Sequence, residues 1–564
     1  MLKQLEQRWS AVVRRGACWP LLGMLALLSA CGEEAQWVHA VPADKWILQD
    51  TRPFDLEQRA VRFSPSPHGY TFHVLEGPVV LEVDGSAPLA GARYVELSFA
   101  FPFGGSSWKG LFVNLDGNIS FGAPDFAAFS PLSLWPEGGM RSAAELLLAR
   151  ANEGQAKWIV PLWAEHGTNL TSVRPKVDSL EVTWRITRPE GYSFHFRPLG
   201  ESLFQAELFA DGTIEFRYQN VPEVDGIVGL FAGSSPWGGA SVESDLSAGG
   251  TAGGAIYEVF HHPVLSREPS TYLPDIYSRH PARDDFVILM TDFRFDSLYG
   301  AAASSGAINL PVYGLGRAAE TPRPGKIFGS TALQVAVRPT WVGQPAFDEV
   351  VADSNREYVG HAFAVGLLAH ELTHRWGVGL EQWEPATGGR RPLYEDDCQC
   401  HWSDWLQLPA AFPVASLFSS QPYPESSLMG GHSFREEADG IFTEEEKPYM
   451  APAGFSWLDL YAMGLARPEE VPDTFLLTDI EALGMGRLAA RKVPVTLEQI
   501  VTALGSRSPS ASEAQREFTL SIYLLHRGKT PDEAAVQRAD AIARALAAFF
   551  DAATGSRMRL VPAH

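Results

Sequence analysis

Residues 363–377 of this 564-residue chain read FAVGLLAHELTHRWG, an apolar run that continues into two histidines and a glutamate. His370 and His374 are four positions apart, a spacing that places both imidazoles on one face of a helix. Two neutral imidazole nitrogens arranged in this way can ligate one Zn²⁺ at about 2.0–2.1 Å. Glu371 would then serve as the general base for a water molecule that the metal activates. The motif therefore predicts a zinc centre with His370 and His374 as ligands and Glu371 as the catalytic residue.

The helix that carries this motif is predicted to begin at Ser354 and to end near Gly377. Residues 354–357 read Ser-Asn-Arg-Glu, which has the form of a capping box, and a glycine commonly ends a helix. Upstream, two apolar segments at 285–292 and 332–337 predict strands. A zinc peptidase needs an edge strand beside the metal with which an extended substrate can pair, and the second segment is the candidate.

The third ligand has several candidates, and the spacing excludes one arrangement. A metzincin carries a third histidine three positions after the glycine that ends its helix, and Leu380 occupies that position here. Glu381 follows directly, but it would have to fold back over a very short turn. The better candidates, Asp459 and His401, lie further along the chain.

Asp459 is the preferred third ligand, in a predicted short helix that follows Ser456. An aspartate with a tyrosine close behind it resembles the aspzincin arrangement, which implies Asp459 as the ligand and Tyr461 as a support for the transition state. Tyr461 follows at two positions, whereas the aspzincin spacing is three. With Ser456 as the N-cap, Asp459 also falls at the third helical position, where a carboxylate satisfies free backbone amides without any metal.

His401 is the alternative third ligand, because histidine is a common zinc ligand. It lies between Cys400 and Trp402, and a packed or supporting role is equally compatible with that position. His432, after Met-Gly-Gly, is a candidate for steadying an oxyanion, although a loop histidine is usually solvated. Cys398 and Cys400 predict a local disulfide or free thiols, because a structural zinc site needs four such ligands and no second pair is present.

The first thirty residues predict an export signal. Four basic side chains lie within residues 1–15, and the apolar run at 17–30 is too short to span a bilayer comfortably. The run ends in Leu-Ser-Ala-Cys, which resembles the lipobox of bacterial lipoproteins and implies a lipid anchor on Cys31. Gly32 at the next position favours the outer membrane or cell surface in that family. An ordinary secretory signal whose cleavage site includes a cysteine is the alternative.

The composition limits the partners that this chain can have. Asp and Glu total 67 against 45 Lys and Arg, which gives a formal net charge of −22. Such a field repels phosphate backbones, so nucleic acid is not an expected partner. The expected partners are a protein or peptide substrate and a membrane that holds the lipid anchor at Cys31.

The sequence of the N-terminal half predicts an all-β domain. Short apolar and aromatic runs between residues 41 and 260 are separated by turn residues, and the segments 111–121 and 204–216 each carry an Asp-Gly step typical of a hairpin. The ordered motifs over residues 90–235 are Phe101-Pro102-Phe103, residues 113–122, Pro161-Leu162-Trp163-Ala164, the second hairpin and Val228-Gly229-Leu230. Together they resemble the extracellular nidogen-type (NIDO) domain, which implies a binding or positioning module. The stretch rich in Gly, Ser and Ala from 233 to 254 predicts a linker.

The C-terminal half resembles a group of bacterial secreted zinc-dependent metallopeptidases over residues 280–555. The motifs that carry the resemblance are the His370 to Gly377 segment, His401-Trp402-Ser403, Met429-Gly430-Gly431 and residues 456–465, in that order. The resemblance implies a zincin fold, Zn²⁺ as the cofactor and hydrolysis of peptide bonds. A surface adhesion lipoprotein with an inactive zincin domain is the alternative, and the intact Glu371 argues against it.

The expected architecture is therefore multidomain, with an all-β, sandwich-like N-terminal domain and an α+β, zincin-like metallopeptidase domain. The expected boundaries are a lipoprotein signal peptide at 1–30, a β-rich extension at 31–89, the NIDO-like domain at 90–235, a linker at 236–275 and the peptidase domain at 276–564.

Overall fold

The computed structural model describes most of the chain. It covers residues 36–563 except 83–86, 89–90, 116, 125–156, 165–168, 191–196, 222–225, 233–241, 281–283, 296–304, 309–311, 317–323, 354–355, 377–378, 396–400, 422, 446–451 and 485. The predicted signal peptide, Cys31, Cys398 and Cys400 lie outside the described residues. Within the described residues, no helix combines the length and hydropathy that a membrane-spanning segment requires.

Two largely antiparallel sheets pack face to face around one apolar core in the N-terminal half, and we call this unit the sandwich. The strand Ser179–Glu190 shows how the sequence produces it, because Val182, Trp184 and Ile186 alternate into the core. The eight-stranded sheet has the order Gly250–Ala252, Gly69–Leu75, Ala60–Ser66, Ile214–Asn220, Arg197–Phe209, Ser179–Glu190, Asn169–Pro175, Ala87–Pro88. The seven-stranded sheet has the order Val242–Glu243, Ile256–Phe260, Gly226–Ala232, Lys157–Ala164, Ile119–Ser120, Ser106–Val113, Arg93–Phe103.

Both predicted Asp-Gly hairpins are confirmed. Ser106–Val113 pairs antiparallel with Ile119–Ser120, and Arg197–Phe209 pairs antiparallel with Ile214–Asn220. Gly212, in the second turn, has a φ of +90°, a conformation that favours glycine.

The predicted linker at 236–275 is wrong, because three of its segments form strands of the sandwich and its last residues form a 3-10 turn and the start of a helix. Ile256–Phe260 pairs with Gly226–Ala232, and Gly250–Ala252 pairs with Gly69–Leu75. A Cβ atom on Gly250 would lie 2.9 Å from the Phe72 ring, so this glycine is needed for close packing rather than for flexibility. The predicted start at residue 90 is also too late, since strands from residue 60 onward belong to the same sheets.

A six-stranded sheet forms the centre of the second unit, which we call the α/β unit. Five of its strands have the order Val38–Pro42, Glu517–His526, Phe286–Thr291, Val335–Trp341, Ser305–Ile308. The sixth strand, Arg559–Pro562, also pairs with Glu517–His526. Val38–Pro42 runs parallel to Glu517–His526, so the chain enters this sheet before it builds the sandwich. The predicted extension at 31–89 is therefore divided between the two units. In topological terms the sandwich is an insertion after the first strand of the α/β unit.

The candidate edge strand of the sequence analysis is not at an edge. Val335–Trp341 pairs in parallel with Phe286–Thr291 on one side and antiparallel with Ser305–Ile308 on the other. In the part of the sheet that the structure describes, the strand at this edge is Ser305–Ile308.

The helix that carries the histidine motif, here called the site helix, extends over Ala362–Thr373. It is buried on almost every side, as an apolar sequence of this kind requires, and it packs against the long helix Glu533–Ala553. Its predicted start at Ser354 is wrong: Arg356–Tyr358 forms a strand paired with Val351–Asp353, so the helix begins only after this hairpin. Ser354 and Asn355 themselves lie outside the described residues.

A second sheet of seven short strands lies beside the site helix. Its order is Tyr394–Glu395, His401–Gln407, Thr474–Gly484, Arg487–Val495, Ile441–Glu444, Phe434–Ala438, with Gly430–His432 also paired to His401–Gln407. Two further strand pairs are Ile47–Gln49 with Val264–Leu265 and Glu381–Glu384 with Gly389–Pro392. The remaining α-helices are Leu273–Arg279, Pro324–Phe328, Ala415–Phe418, Trp457–Met463 and Leu497–Leu504. Short 3-10 turns occur at Asp44–Trp46, Pro269–Thr271, Pro345–Phe347 and Pro468–Glu470.

Candidate metal centre

Three histidines, His370, His374 and His401, come together where the site helix meets the second sheet. One ring nitrogen from each lies within 4.8 Å of the other two. The ring centroids are 4.7 to 5.1 Å apart, and the Nε2 atoms of His370 and His401 are separated by 3.0 Å. Ligand nitrogens around a tetrahedral Zn²⁺ are about 3.3–3.4 Å apart when each Zn–N bond is about 2.0–2.1 Å long. The three nitrogens are therefore close enough to converge on a single ion.

A backbone carbonyl fixes the orientation of His370. Its Nδ1 atom lies 2.9 Å from the carbonyl oxygen of Leu428. A carbonyl oxygen can only accept, so Nδ1 carries the hydrogen, and the lone pair of the neutral ring is on Nε2. Nε2 is the atom that faces His401, which is the tautomer that a metal ligand needs.

Glu371 lies next to these rings and is buried. Its Oε2 atom is 3.9 Å from Nε2 of His374. A carboxylate this close to the histidine nitrogens could exchange a proton with a water molecule bound to a metal that these nitrogens hold. The site helix therefore supplies two possible ligands and one possible base within five residues.

His401 is the first residue of the strand His401–Gln407, and its neighbours in the sheet hold it in place. The backbone N–H of Trp402 donates to the carbonyl of Met429 at 2.8 Å, and Gly430 is the register partner of Trp402. Gly430 has a φ of +107°, and a Cβ atom there would lie 2.7 Å from the carbonyl oxygen of Trp402. The Met-Gly-Gly segment thus allows a close backbone approach beside His401.

The structure gives Asp459 a different place from the one expected for a third ligand. One carboxylate oxygen, Oδ2, accepts from the backbone N–H and the hydroxyl of Ser456, both at 2.7 Å, and Ser456 caps the helix Trp457–Met463. The other oxygen, Oδ1, accepts from the indole N–H of Trp402 at 2.7 Å. Burial raises the pKa of Asp459. Among the described residues it is His401, not Asp459, whose ligand atom joins those of His370 and His374.

The other candidate residues are also held elsewhere. Glu381 faces Tyr394 at 3.4 Å and Arg390 at 3.5 Å. The phenol of Tyr461 accepts from the backbone N–H of Arg507 at 3.2 Å. Among the described residues, Glu381 does not belong to the group of ligand atoms formed by the three histidines.

His432 does not face the histidine group either. Its ring lies against the carboxylate of Glu444, and its Nε2 atom is 3.6 Å from Asp404. The contacts with Glu444 and Asp404 account for the position of His432 in the second sheet. They do not support the expected role of His432 in stabilising an oxyanion.

A second group of ligand-type atoms lies in the sandwich, and sequence reasoning missed it. Carboxylate oxygens of Asp55, Asp245 and Glu258 are within 4.8 Å of one another. Burial, with a smaller contribution from the two aspartates, raises the pKa of Glu258 to about 7. These residues are far apart in sequence and share no motif.

Sequence reasoning also missed the contacts that orient the histidines, those of Leu428 and Trp402. The Met-Gly-Gly segment was the one local signal, since two consecutive glycines beside a ligand strand indicate a close backbone approach.

No protein-family model matches this sequence, and no curated protein or solved structure matches it at a significant level.

Proposed function

We propose that this protein is a zinc-dependent peptidase in which His370, His374 and His401 hold the metal and Glu371 is the general base. The observation that carries the proposal is the convergence of three imidazole nitrogens within 4.8 Å, with a buried carboxylate 3.9 Å from one of them. Neutral imidazoles suit Zn²⁺, and three protein ligands leave the fourth position of a catalytic zinc site open.

Each group in the proposed site has a separate role in peptide hydrolysis. A bound Zn²⁺ supplies Lewis-acid polarisation of the scissile carbonyl and lowers the pKa of water to about 7. Glu371 accepts a proton from the attacking water and delivers it to the amine that leaves. His370 keeps its Nε2 lone pair available because Nδ1 donates to the carbonyl of Leu428.

The substrate we propose is a protein or peptide bound in extended form. The site helix packs against Val335–Trp341, and the neighbouring strand Ser305–Ile308 is at the described edge of the same sheet. An extended peptide can add to such an edge through main-chain hydrogen bonds, with specificity from alternate side chains. This strand therefore replaces 332–337 as the proposed place of substrate pairing.

We further propose that a lipid anchor on Cys31 holds the α/β unit close to a membrane, with the NIDO-like sandwich as a binding module. Cys31 lies seven positions before Val38, the first residue of a strand in the α/β sheet. At about 3.3–3.6 Å per residue, seven residues span at most about 25 Å. Replacement Cys31→Ser is expected to move the protein from the membrane fraction to the soluble fraction after cell lysis.

The deciding experiment compares wild-type protein with Glu371→Gln on a quenched peptide library, with zinc content measured on both. Loss of a general base is expected to reduce kcat/KM by about 10²–10⁴-fold while zinc is retained. His370→Ala is the matched variant on the same helix, and it is expected to lose zinc as well as activity.

Equal turnover in wild type and Glu371→Gln would contradict the proposal. Zinc binding without turnover in wild-type protein would instead favour the alternative function, a surface binding lipoprotein in which the metal is structural.

A further inference from the structure

We infer that Asp459 is a positioning residue for the metal centre: its carboxylate joins the strand that carries His401 to the loop whose carbonyl orients His370. This inference rests on the proposed function, because it assumes that these histidines hold zinc. It assigns to Asp459 a role that neither metal ligation nor helix capping includes.

The first connection passes through Trp402. The indole N–H donates to Oδ1 of Asp459 at 2.7 Å, and the indole is fully buried. Adjacent side chains of a strand point to opposite faces, so the rotation of the strand that seats Trp402 also sets the direction of His401. Trp402 follows His401 directly in this strand, so the anchored indole lies one residue from the ligand.

The second connection passes through Ser427. Burial raises the pKa of Asp459, and the Ser427 side chain beside the carboxylate acts in the opposite direction. The Ser427 hydroxyl accepts from the backbone N–H of Met429 at 3.0 Å. Leu428 lies between these two residues, and its carbonyl oxygen receives Nδ1–H of His370 at 2.9 Å. A displacement of Asp459 would therefore be passed to the carbonyl that fixes the tautomer and the direction of His370.

The carboxylate is suited to this role because it only accepts hydrogen bonds. It receives hydrogen bonds from Trp402 and Ser456 and is buried. An isosteric asparagine keeps the volume but replaces one acceptor oxygen with an NH₂ group, which opposes the indole N–H or the Ser456 donors. A buried donor facing another donor costs free energy, so Asp459→Asn weakens the contact of this side chain either with the Trp402 indole or with Ser456.

The test uses the full chain and measures Zn²⁺ affinity by chelator competition, together with the visible spectrum of Co²⁺-substituted protein. Changes in contacts outside the ligand shell typically weaken metal binding by about 10–100-fold, and we expect this loss in Asp459→Asn. Trp402→Phe should produce a loss of the same order, although it leaves Asp459 and its cap intact. The double variant should lose no more than the worse single variant, since both changes break one connection. The Co²⁺ bands should shift in each of the three.

Gln499→Leu is the matched control, because Gln499 is the third residue of the capping box of Leu497–Leu504. It is expected to reduce stability and to leave zinc affinity and the Co²⁺ spectrum unchanged. Wild-type zinc affinity in folded Trp402→Phe and Asp459→Asn would overturn the inference and leave the proposed function standing. If Asp459→Asn does not fold, Trp402→Phe alone decides. Failure of the wild-type protein to bind zinc would overturn both.

Discussion

The described residues contain two groups of ligand-type side chains whose ligand atoms lie within 4.8 Å of one another, yet the two groups differ in almost every other respect. In the α/β unit, three imidazole nitrogens lie within 4.8 Å, and in the sandwich three carboxylate groups do so. The imidazole rings come from a buried helix and a strand that share one apolar core. In the carboxylate group Asp55 and Asp245 are exposed, and only Glu258 is buried.

The difference shows that distance alone does not define a metal centre. Neutral imidazoles can approach one another without charge repulsion, and a carbonyl directs the lone pair of His370 into the group. In the sandwich the contacts build a turn instead: Asp245 accepts from Ser247 and Ala248, and Glu258 accepts from the backbone N–H of Leu246. Burial and like charges there raise the pKa of Glu258 to about 7, which means that proximity is costly in the ionised state.

The largest expected effect is the loss of zinc in His401→Ala. Apparent zinc binding of about 10–16 kcal/mol, shared by four ligands, gives about 2.5–4 kcal/mol for each, or about 10²–10³-fold in affinity. Isothermal titration with Zn²⁺ measures this, and Asp245→Asn is the control that removes a charge from the other group. Retention of zinc in His401→Ala together with its loss in Asp459→Ala would show that Asp459 is the third ligand.

The second effect concerns the carboxylate group and depends on pH. The folded protein holds a proton on Glu258 up to about pH 7, whereas the unfolded chain releases this proton near the ordinary pKa of 4.5. Between these two pH values the folded state therefore binds more protons than the unfolded state. Stability therefore decreases as pH rises through it, by at most about 3 kcal/mol from this group. Urea unfolding of wild type and Glu258→Gln at about pH 5 and about pH 8 should show a smaller decrease in the variant. Identical decreases in the two proteins would contradict the assignment.

Local sequence patterns were sufficient to predict the structure of segments whose conformation depends mainly on their own residues. The motif helix around His370 and the two Asp-Gly hairpins follow from periodicity and turn chemistry, and all three are present. The sequence around Asp459 is compatible with a ligand and with a helix cap, and the structure shows the cap. Both roles place a carboxylate at the same position of a short helix, so the sequence could not separate them.

The predictions failed where contacts distant in sequence decide the outcome. The strand Val38–Pro42 pairs with Glu517–His526 from the other end of the chain, and no local pattern indicates that partner. Gly250 suggested a flexible linker, but its small size is required by the Phe72 ring. The segment at Ser354 has the residues of a capping box, yet Arg356–Tyr358 pairs as a strand, because tertiary pairing overrides a weak local preference.

The third prediction tests the close backbone approach that supports the histidine group. A Cβ atom at Gly430 would lie 2.7 Å from the carbonyl oxygen of Trp402, in a backbone conformation that side chains disfavour. We expect Gly430→Ala to lower the free energy of unfolding by about 1–3 kcal/mol and to weaken zinc binding by displacing His401. Gly388→Ala is the control, since Gly388 also has a positive φ but has no neighbouring atom within 4 Å of its Cβ position. Equal zinc affinity in the two variants would remove Gly430 from the support of the site.

The smallest expected effect separates the two causes that raise the pKa of Glu258. Burial is the larger cause, and the charges of Asp55 and Asp245 add to it. Asp245→Asn removes one of those charges and leaves the burial of Glu258 in place, so the pKa of Glu258 should fall but remain above the ordinary value. Carboxyl carbon chemical shifts followed by NMR across the titration measure the change directly. If the pKa returned fully to its ordinary value, repulsion rather than burial would be the main cause, and the carboxylate group would be a purely electrostatic feature.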